Sequence, residues 1–141
     1  MISTSSKTKN NDDILAFPVK VDLQKNTVNL ELEDKSFLRL DHHNRPLEHN
    51  VLSSYGISTS GPIFFFTGLQ SNNQGKGQAS FLMDCASMVL DQAGYWVLNE
   101  VRPTDFSEKN LDRLIEFYER YNYELLQKGK DAALMYRRPR L

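Results

Sequence analysis

The chain has little of what membrane, secreted and nucleic-acid-binding proteins usually show in their sequences. Its 141 residues contain one cysteine, Cys85, so an internal disulfide is excluded and a reducing compartment is expected. No apolar run approaches the roughly 18 residues of a bilayer-spanning helix, so no membrane partner is expected. The formal net charge is −1, which gives no general attraction to nucleic acid. Together these absences predict a cytoplasmic globular protein.

The composition changes once along the chain, after the first thirteen residues. Residues 1–13 (MISTSSKTKNNDD) are polar and lack the apolar stretch of a signal peptide, so they are predicted to form a disordered tail. Residues 14–141 contain no repeat and no linker, and they are long enough to bury one hydrophobic core. A single domain is therefore predicted there, and homo-oligomer formation is left open.

Residues 14–60 show the alternation of apolar and polar side chains that is typical of β-strands. Residues 14–23 and 27–33 alternate on either side of a short hairpin loop at residues 24–26, and residues 36–40 predict a third strand. Residues 41–50 are rich in Asn, Asp and Pro and predict a loop, followed by a short strand at 52–57. No helix is predicted in this half.

Residues 62–138 alternate between strand and helix patterns. Residues 62–69 are continuously apolar and predict a buried strand, and residues 79–93 have helical spacing that ends at Gly94. Then follow a strand at 95–101, a helix from about Ser107, and closing strands at 123–126 and 132–136. These patterns predict an α/β (α+β) fold with a mixed central sheet, in which β-α-β-α-β-β follows a strand-rich first half.

A glycine-rich segment, QGKGQA at residues 74–79, lies between the buried strand and the helix. The P-loop pattern fails because Gln70 and Gly77 occupy two of its fixed positions, and the dinucleotide pattern fails because Ser80 replaces its third glycine. A third pattern, [QR]-x-x-G-x-[GA], is matched by Gln74, Gly77 and Ala79. Two glycines let backbone amides approach a phosphate at a helix N-terminus. An ordinary turn and a site for another nucleotide stay open.

A second motif follows about forty residues later, in LIEFYERYNYELL at residues 114–126. The two motifs together resemble the GNAT family of N-acetyltransferases over residues 62–138. In that family the glycine segment binds the pyrophosphate of acetyl-coenzyme A, and a helix containing Phe-Tyr-Glu precedes two closing strands. Asn122 stands where the family usually has glycine, and asparagine tolerates the left-handed conformation well.

The resemblance implies an acyl-coenzyme A-dependent N-acyltransferase, with acetyl-coenzyme A as cosubstrate and direct attack by an amine of a small molecule or protein. Tyr118 is implied as the proton donor to the departing thiolate. Glu100 is the candidate base, because it is the nearest carboxylate in the predicted geometry. Tyr118 as a core aromatic and Glu100 as a solvated strand-end residue are the alternatives, and Asn99 could bind the acceptor or a water. The two strands that end near Leu69 and Glu100 are expected to splay around the pantetheine arm. The implied cofactor-binding residues are Leu69, Gln74, Gly75, Lys76, Gly77, Gln78 and Ala79.

The first half departs from the family pattern. Family members carry two helices there that form the acceptor wall, whereas residues 14–60 have strand and loop patterns. This departure supports an alternative function, in which a catalytically inactive acetyltransferase-like fold serves as a binding or assembly module.

Three other groups of residues have side chains that could bind a metal, react as a nucleophile or bind an anion. His42, His43 and His49 lie among carboxylates, but their spacing matches no known site and no metal is expected. Cys85 lies on the apolar side of a helix and is interpreted as packing. The basic residues near the end of the chain are interpreted as a solvated surface patch; they are Arg137, Arg138 and Arg140.

Overall fold

The computed structural model describes residues 2–7, 14–43, 46–72, 77–103 and 108–140. These ranges form eight strands and three helices, so the described chain is α+β. None of the described helices is both long and apolar enough to cross a membrane. The strands are β1 (Ile2–Lys7), β2 (Ile14–Gln24), β3 (Thr27–Leu32), β4 (Phe37–Asp41), β5 (Ile63–Gln70), β6 (Trp96–Val101), β7 (Glu124–Lys128) and β8 (Ala133–Arg137). The helices are α1 (Leu47–Ser54), α2 (Gln78–Ala93) and α3 (Glu108–Glu119).

All eight strands join one mixed sheet in the order β1-β2-β3-β4-β5-β6-β8-β7. Strands β1 to β5 form an antiparallel meander, and β8 is antiparallel to both β6 and β7. β5 and β6 are parallel, because α2 carries the chain back between them. The predicted mixed central sheet is therefore confirmed.

The two faces of the sheet bury different cores. Alternate residues of β2 to β8 point to one face, where Phe81 and Leu82 of α2 and Ile115 of α3 pack on them. On the other face, Leu52 of α1 packs in a smaller cluster completed by residues of β5, β6 and β8, which are Ile63, Trp96, Leu98 and Tyr136. α1 thus covers the centre of the sheet on the face opposite α2 and α3.

Most of the predicted elements are confirmed by the structure. The β2–β3 hairpin, the strand at β4 and the β-α-β-α-β-β order after residue 62 all occur, with ends shifted by a few residues. Gly94 ends α2 in the left-handed conformation at φ +73°, which a glycine adopts without steric cost. Asn122, with φ +73°, likewise adopts the conformation that glycine would favour.

Two predictions for the first half differ from the structure. Residues 47–54 form α1, so the predicted loop continuing to residue 50 and the strand at 52–57 are wrong there. α1 has few apolar side chains, but its Leu52 is fully buried, so tertiary packing stabilises it. Residues 2–7, predicted as part of a disordered tail, pair with β2 as strand β1 because β2 offers an unpaired edge. Residues 1 and 8–13 lie outside the described residues.

Arg137 is the clearest departure from the predicted basic surface patch. Its side chain is buried, and its guanidinium donates to both carboxylate oxygens of Asp91, at 2.8 and 3.2 Å, and to the carbonyl of Tyr121 at 2.8 Å. Burial acts to raise the pKa of Asp91, but hydrogen bonds from Arg137 and the Arg140 amide outweigh it and hold the pKa below its ordinary value. The interpretation of Arg137 as solvated is wrong, because its charge ties the end of β8 to α2.

Cys85 is buried on α2, in agreement with its interpretation as a packing residue. Burial, together with the nearby Asp84, raises the pKa of its thiol to about 11.

We predict that Asp91→Asn lowers the free energy of unfolding by about 3 kcal/mol at pH 7, because it leaves the buried Arg137 without its counter-charge. Since the folded pKa of Asp91 lies below its unfolded value, this contribution is present above about pH 4 and is lost as pH falls through the folded pKa. Urea denaturation at pH 7 and pH 3 measures both effects. Asp112→Asn is the control, because it breaks an exposed pair with Lys128 and should cost less than about 1 kcal/mol. Equal losses in the two variants would contradict the prediction.

Candidate active site

The parallel strands β5 and β6 stay together for only part of their length. They pair at Ile63–Trp96, Phe64–Val97 and Phe65–Leu98, and no pairing between them continues beyond Phe65 in the described residues. Residues 66 and 68–70 of β5 remain paired with β4, and residues 99–101 of β6 remain paired with β8. The two strands therefore separate after Phe65 and leave a gap in the middle of the sheet, as the resemblance implies.

A bulge in β5 lies beside this gap. Arg39 of β4 is opposite Gly68 and Leu40 is opposite Phe66, so Thr67 is an extra residue without a partner in the register. The Thr67 hydroxyl lies 3.0 Å from the carbonyl of Arg39 and 2.8 Å from a carboxylate oxygen of Asp41, and it can donate to one of them at a time. A bulge bends its strand and redirects the neighbouring backbone groups, so it contributes to the separation of β5 from β6.

The gap forms a cleft of about 290 Å³. Its walls come from β5, β6 and α3, and they include four of the residues that the sequence singled out: Leu69, Asn99, Glu100 and Tyr118. The complete lining is Phe66, Thr67, Gly68, Leu69, Asn99, Glu100, Val101, Arg102, Leu114 and Tyr118.

Tyr118 is buried in the core and also lines the cleft. It is 8% exposed, and its ring makes edge-to-face contacts with Phe66 and Tyr123, so it is a core aromatic. It also lines the cleft, where its hydroxyl interacts with the side chain of Asn99. Burial raises the pKa of Tyr118 to about 12, and the interaction with Asn99 partly opposes that increase. The phenol therefore remains protonated at neutral pH.

Glu100 lies at the mouth of the cleft and is exposed. Its carboxylate accepts a hydrogen bond from the Nε of Arg102 at 2.6 Å, in an ion pair with the residue that follows β6. This environment fits the solvated strand-end interpretation. Glu100 also borders two hollows on the α1 side of the sheet, so its carboxylate faces several open volumes.

The glycine-rich segment is only partly described. Gln74, Gly75 and Lys76 lie outside the described residues, whereas Gly77, Gln78 and Ala79 are described. Gly77 precedes α2 with φ +83°, and no side chain within the described part of the chain caps the first turn, which also contains no acidic residue. Within the described residues, no capping side chain therefore binds the backbone amides at the start of α2, and no acidic residue of the first turn neutralises the positive end of its dipole.

Gln78 is among the residues predicted to bind the cofactor, and the structure places its side chain in the protein interior. Gln78 is 6% exposed, and its Nε2 donates to the carboxylate of Asp34 at 3.2 Å. Asp34 lies in the β3–β4 turn, where its backbone carbonyl also accepts a hydrogen bond from Asn72 at 2.7 Å. The turn therefore contacts both sides of residues 73–76. This leaves the backbone of Gln78 as the part that could face a phosphate.

A separate cavity of about 360 Å³ lies on the α1 face of the sheet. Its walls are mainly apolar and come from α1, β5, β6 and β8, with two carboxylates, Glu48 and Glu100, among them. Glu48 is 4% exposed although it carries a carboxylate. Glu100 borders both this cavity and the cleft. The lining is His43, Leu47, Glu48, Val51, Phe65, Leu98, Glu100 and Leu134.

A wide hollow of about 900 Å³ lies near the end of α3. Three of its charged side chains already have partners, since Arg138 contacts Glu124 and Arg140 donates to Asn122. It lies away from the cleft and is a poor candidate for chemistry.

Two histidines of the first half, His42 and His49, each contact a different oxygen atom. Nδ1 of His42 is 3.0 Å from the carbonyl of Ile63, and Nδ1 of His49 is 2.7 Å from the hydroxyl of Thr59. Within the ranges that the structure describes, no three His, Cys, Asp or Glu side chains are grouped so that they could hold a metal ion.

Sequence reasoning missed the Thr67 bulge and the link between Asn99 and Tyr118. A polar asparagine inside the run WVLNEV was the available signal for the second, because such a residue in a buried strand needs a partner. No protein-family model matches the chain, and no curated protein matches it in sequence.

Proposed function

We propose that the chain is an acyl-coenzyme A-dependent N-acyltransferase that transfers acetyl from acetyl-coenzyme A to an amine. The observation that carries the proposal is the separation of β5 from β6, which opens a cleft beside the buried phenol of Tyr118. The sequence match to the GNAT pattern in Gln74, Gly77 and Ala79 supports it, because that segment leads from the end of β5 into α2.

The cleft suits the extended pantetheine arm of the cosubstrate. Beyond Phe65, the backbone groups on the edge of β5 that faces β6 have no strand partner in the described residues. The amides of the arm pair with these groups as an added strand would. The pyrophosphate then lies at the start of α2, where the backbone amides and helix dipole favour negative charge.

The transfer proceeds by direct attack. The neutral amine nitrogen bonds to the thioester carbon, while a backbone amide of β5 near the bulge polarises the carbonyl oxygen. The carbon–sulfur bond breaks, its electron pair stays on sulfur, and the phenol of Tyr118 supplies a proton to that sulfur. The proton lost by nitrogen returns to the phenolate through solvent. The products are an amide and free coenzyme A.

The amine enters from the α1 side, because the cavity there shares Glu100 with the cleft. Its apolar walls, formed by side chains such as Val51 and Leu98, favour an amine with an apolar body. The carboxylates of Glu48 and Glu100 attract the ammonium form, and Glu100 accepts its proton before attack. A volume of about 360 Å³ suits a small molecule or a single side chain of a protein.

A second candidate is a binding module without turnover. It is favoured by the ion pair between Glu100 and Arg102, which occupies the base, and by the polar residues on the outer face of β2 to β4, such as Lys20 and Arg39. Binding of acetyl-coenzyme A without any acylated product from a broad amine panel would indicate this function.

The first prediction from the proposed function concerns binding of acetyl-coenzyme A. Gly77→Ala places a Cβ at φ +83°, which strains the turn by about 1 kcal/mol, and we expect at least about tenfold weaker binding. Gly56→Ala is the matched control, because Gly56 has φ +77° with open space around its Cβ position and lies away from the cleft. Isothermal titration calorimetry measures both variants.

The wild-type protein should bind acetyl-coenzyme A in the same titration. No heat of binding at high micromolar concentration would reject the proposed function. Competition by ATP but not by coenzyme A would instead indicate a site for another nucleotide.

The second prediction concerns the phenol. Tyr118→Phe should lower kcat about 100-fold and leave the affinity for acetyl-coenzyme A nearly unchanged, because the ring still packs while the proton donor is lost. Tyr121→Phe removes a half-buried hydroxyl that does not line the cleft, so it should retain kcat. Mass spectrometry of the acylated amine gives the rates. Normal turnover by Tyr118→Phe would mean that Tyr118 only packs.

The third prediction concerns the acceptor cavity. Leu47 is 55% exposed at the cavity wall, so Leu47→Trp should fold normally while its indole fills part of the cavity. We expect the KM for apolar amines to rise about tenfold, with unchanged affinity for acetyl-coenzyme A. Leu23→Trp is the control, since Leu23 is 56% exposed at the end of β2. An unchanged amine KM would place the acceptor elsewhere.

A further inference from the structure

Asn99 is a polar residue in an otherwise apolar row. It points to the same face of the sheet as Val97 and Val101, both of which are buried, and is itself only 2% exposed. A carboxamide has two N–H donors and a carbonyl acceptor, and burying such groups without hydrogen bonds costs free energy. Leucine or valine would fill this position without that cost, so the asparagine requires an explanation.

The amide nitrogen of Asn99 has at least one unused donor. Its Nδ2 is buried and makes no hydrogen bond of ordinary geometry among the residues that the structure describes. The interaction that lowers the pKa of Tyr118 can engage only one of its two N–H groups. Buried polar atoms in folded proteins nearly always have a partner, so an orphan donor is a signal that something outside the chain completes it.

The surroundings of Asn99 show where that partner would lie. Asn99 is part of the wall of the cleft, next to the hydroxyl of Tyr118. Phe66, Leu69 and Leu114 form the apolar part of the walls. A partner for Nδ2 would therefore lie inside the cleft, in the gap between β5 and β6.

We propose that Nδ2 of Asn99 donates a hydrogen bond to a carbonyl oxygen of the ligand that occupies the cleft. This inference rests on the proposed function, because it takes that ligand to be an acyl-coenzyme A. The oxygen belongs either to the thioester or to a pantetheine amide, since both groups carry the same acceptor. Asn99 therefore binds the ligand directly, and through its contact with Tyr118 it also positions the phenol.

The role of Asn99 differs from that of the backbone amides in β5. Those amides are fixed by the strand, whereas the carboxamide of Asn99 is anchored on β6, on the opposite side of the gap. Asn99 on β6 holds the ligand carbonyl while the pantetheine arm pairs with β5. The reacting carbon is therefore kept in one orientation. Loss of the donor should weaken binding and also disturb the orientation for attack.

The test compares wild-type protein with Asn99→Leu, which keeps nearly the same volume but has no donor. Calorimetric titrations with acetyl-coenzyme A and with coenzyme A are expected to show about tenfold weaker binding for at least one of them. Weakening confined to acetyl-coenzyme A identifies the thioester oxygen, and equal weakening for both ligands identifies a pantetheine amide. Either result supports the role of Asn99.

A second variant, Asn99→Asp, removes the donor while keeping the shape of the side chain. It has the size of asparagine but replaces Nδ2 with an oxygen, so its affinity should fall at least as far as that of Asn99→Leu. Circular dichroism and thermal unfolding establish that each variant is folded, and the Leu variant alone decides the matter if the buried carboxylate prevents folding.

Unchanged affinity of folded Asn99→Leu for both ligands would overturn the inference and leave the proposed function intact. A lower melting temperature with unchanged affinity would overturn it too, because it would show a purely structural role. Absence of binding by the wild-type protein would instead reject the proposed function itself, and this inference with it.

Discussion

The arrangement of the molecule depends on how β5 and β6 are held apart after three paired residues. Each strand is bound on its outer side, β5 to β4 and β6 to β8, and these antiparallel ladders continue beyond the point where the inner pairing stops. The bulge at Thr67 adds a bend to β5. A Cβ at Gly68 would lie 3.0 Å from the ring of Phe37, so a larger residue there would require that ring to shift. The gap is thus a property of the whole sheet, and removing one contact would not be enough to close it.

The strand-rich first half supports the segment that the GNAT resemblance assigns to the phosphate. The turn between β3 and β4 receives hydrogen bonds from Asn72, after β5, and from Gln78, at the start of α2. Asn72 and Gln78, which precede and follow residues 73–76, are therefore hydrogen-bonded to the same turn. This shared attachment links the end of β5 and the start of α2 to the β3–β4 turn. It also gives the unusual first half a physical role, even though only α1 stands where the family's pattern has two helices.

Much of the fold could be predicted from the sequence, because its signals are local. Alternation revealed the β2–β3 hairpin, continuous apolar residues revealed β5, and Gly94 marked the end of α2. The parts that could not be predicted depend on contacts that are distant in sequence. α1 is short and is stabilised by the packing of Leu52, and Arg137 looked solvated because its partner Asp91 lies 46 residues away. At the candidate site, the sequence identified Tyr118 and Leu69. The contact between Tyr118 and Asn99 could not be predicted, because it depends on how α3 packs on β6.

The burial of Cys85 has a practical consequence for following the proposed reaction. The chain contains no other cysteine, and at pH 8 a thiol with a pKa of about 11 exists as thiolate in roughly one molecule in a thousand. Disulfide reagents such as Ellman's react with the thiolate, so the folded protein should contribute almost no colour. Free coenzyme A would then be the dominant source of signal, and continuous spectrophotometric recording would be feasible with the unmodified protein. Slow colour development without substrate would report on opening of α2 from the sheet.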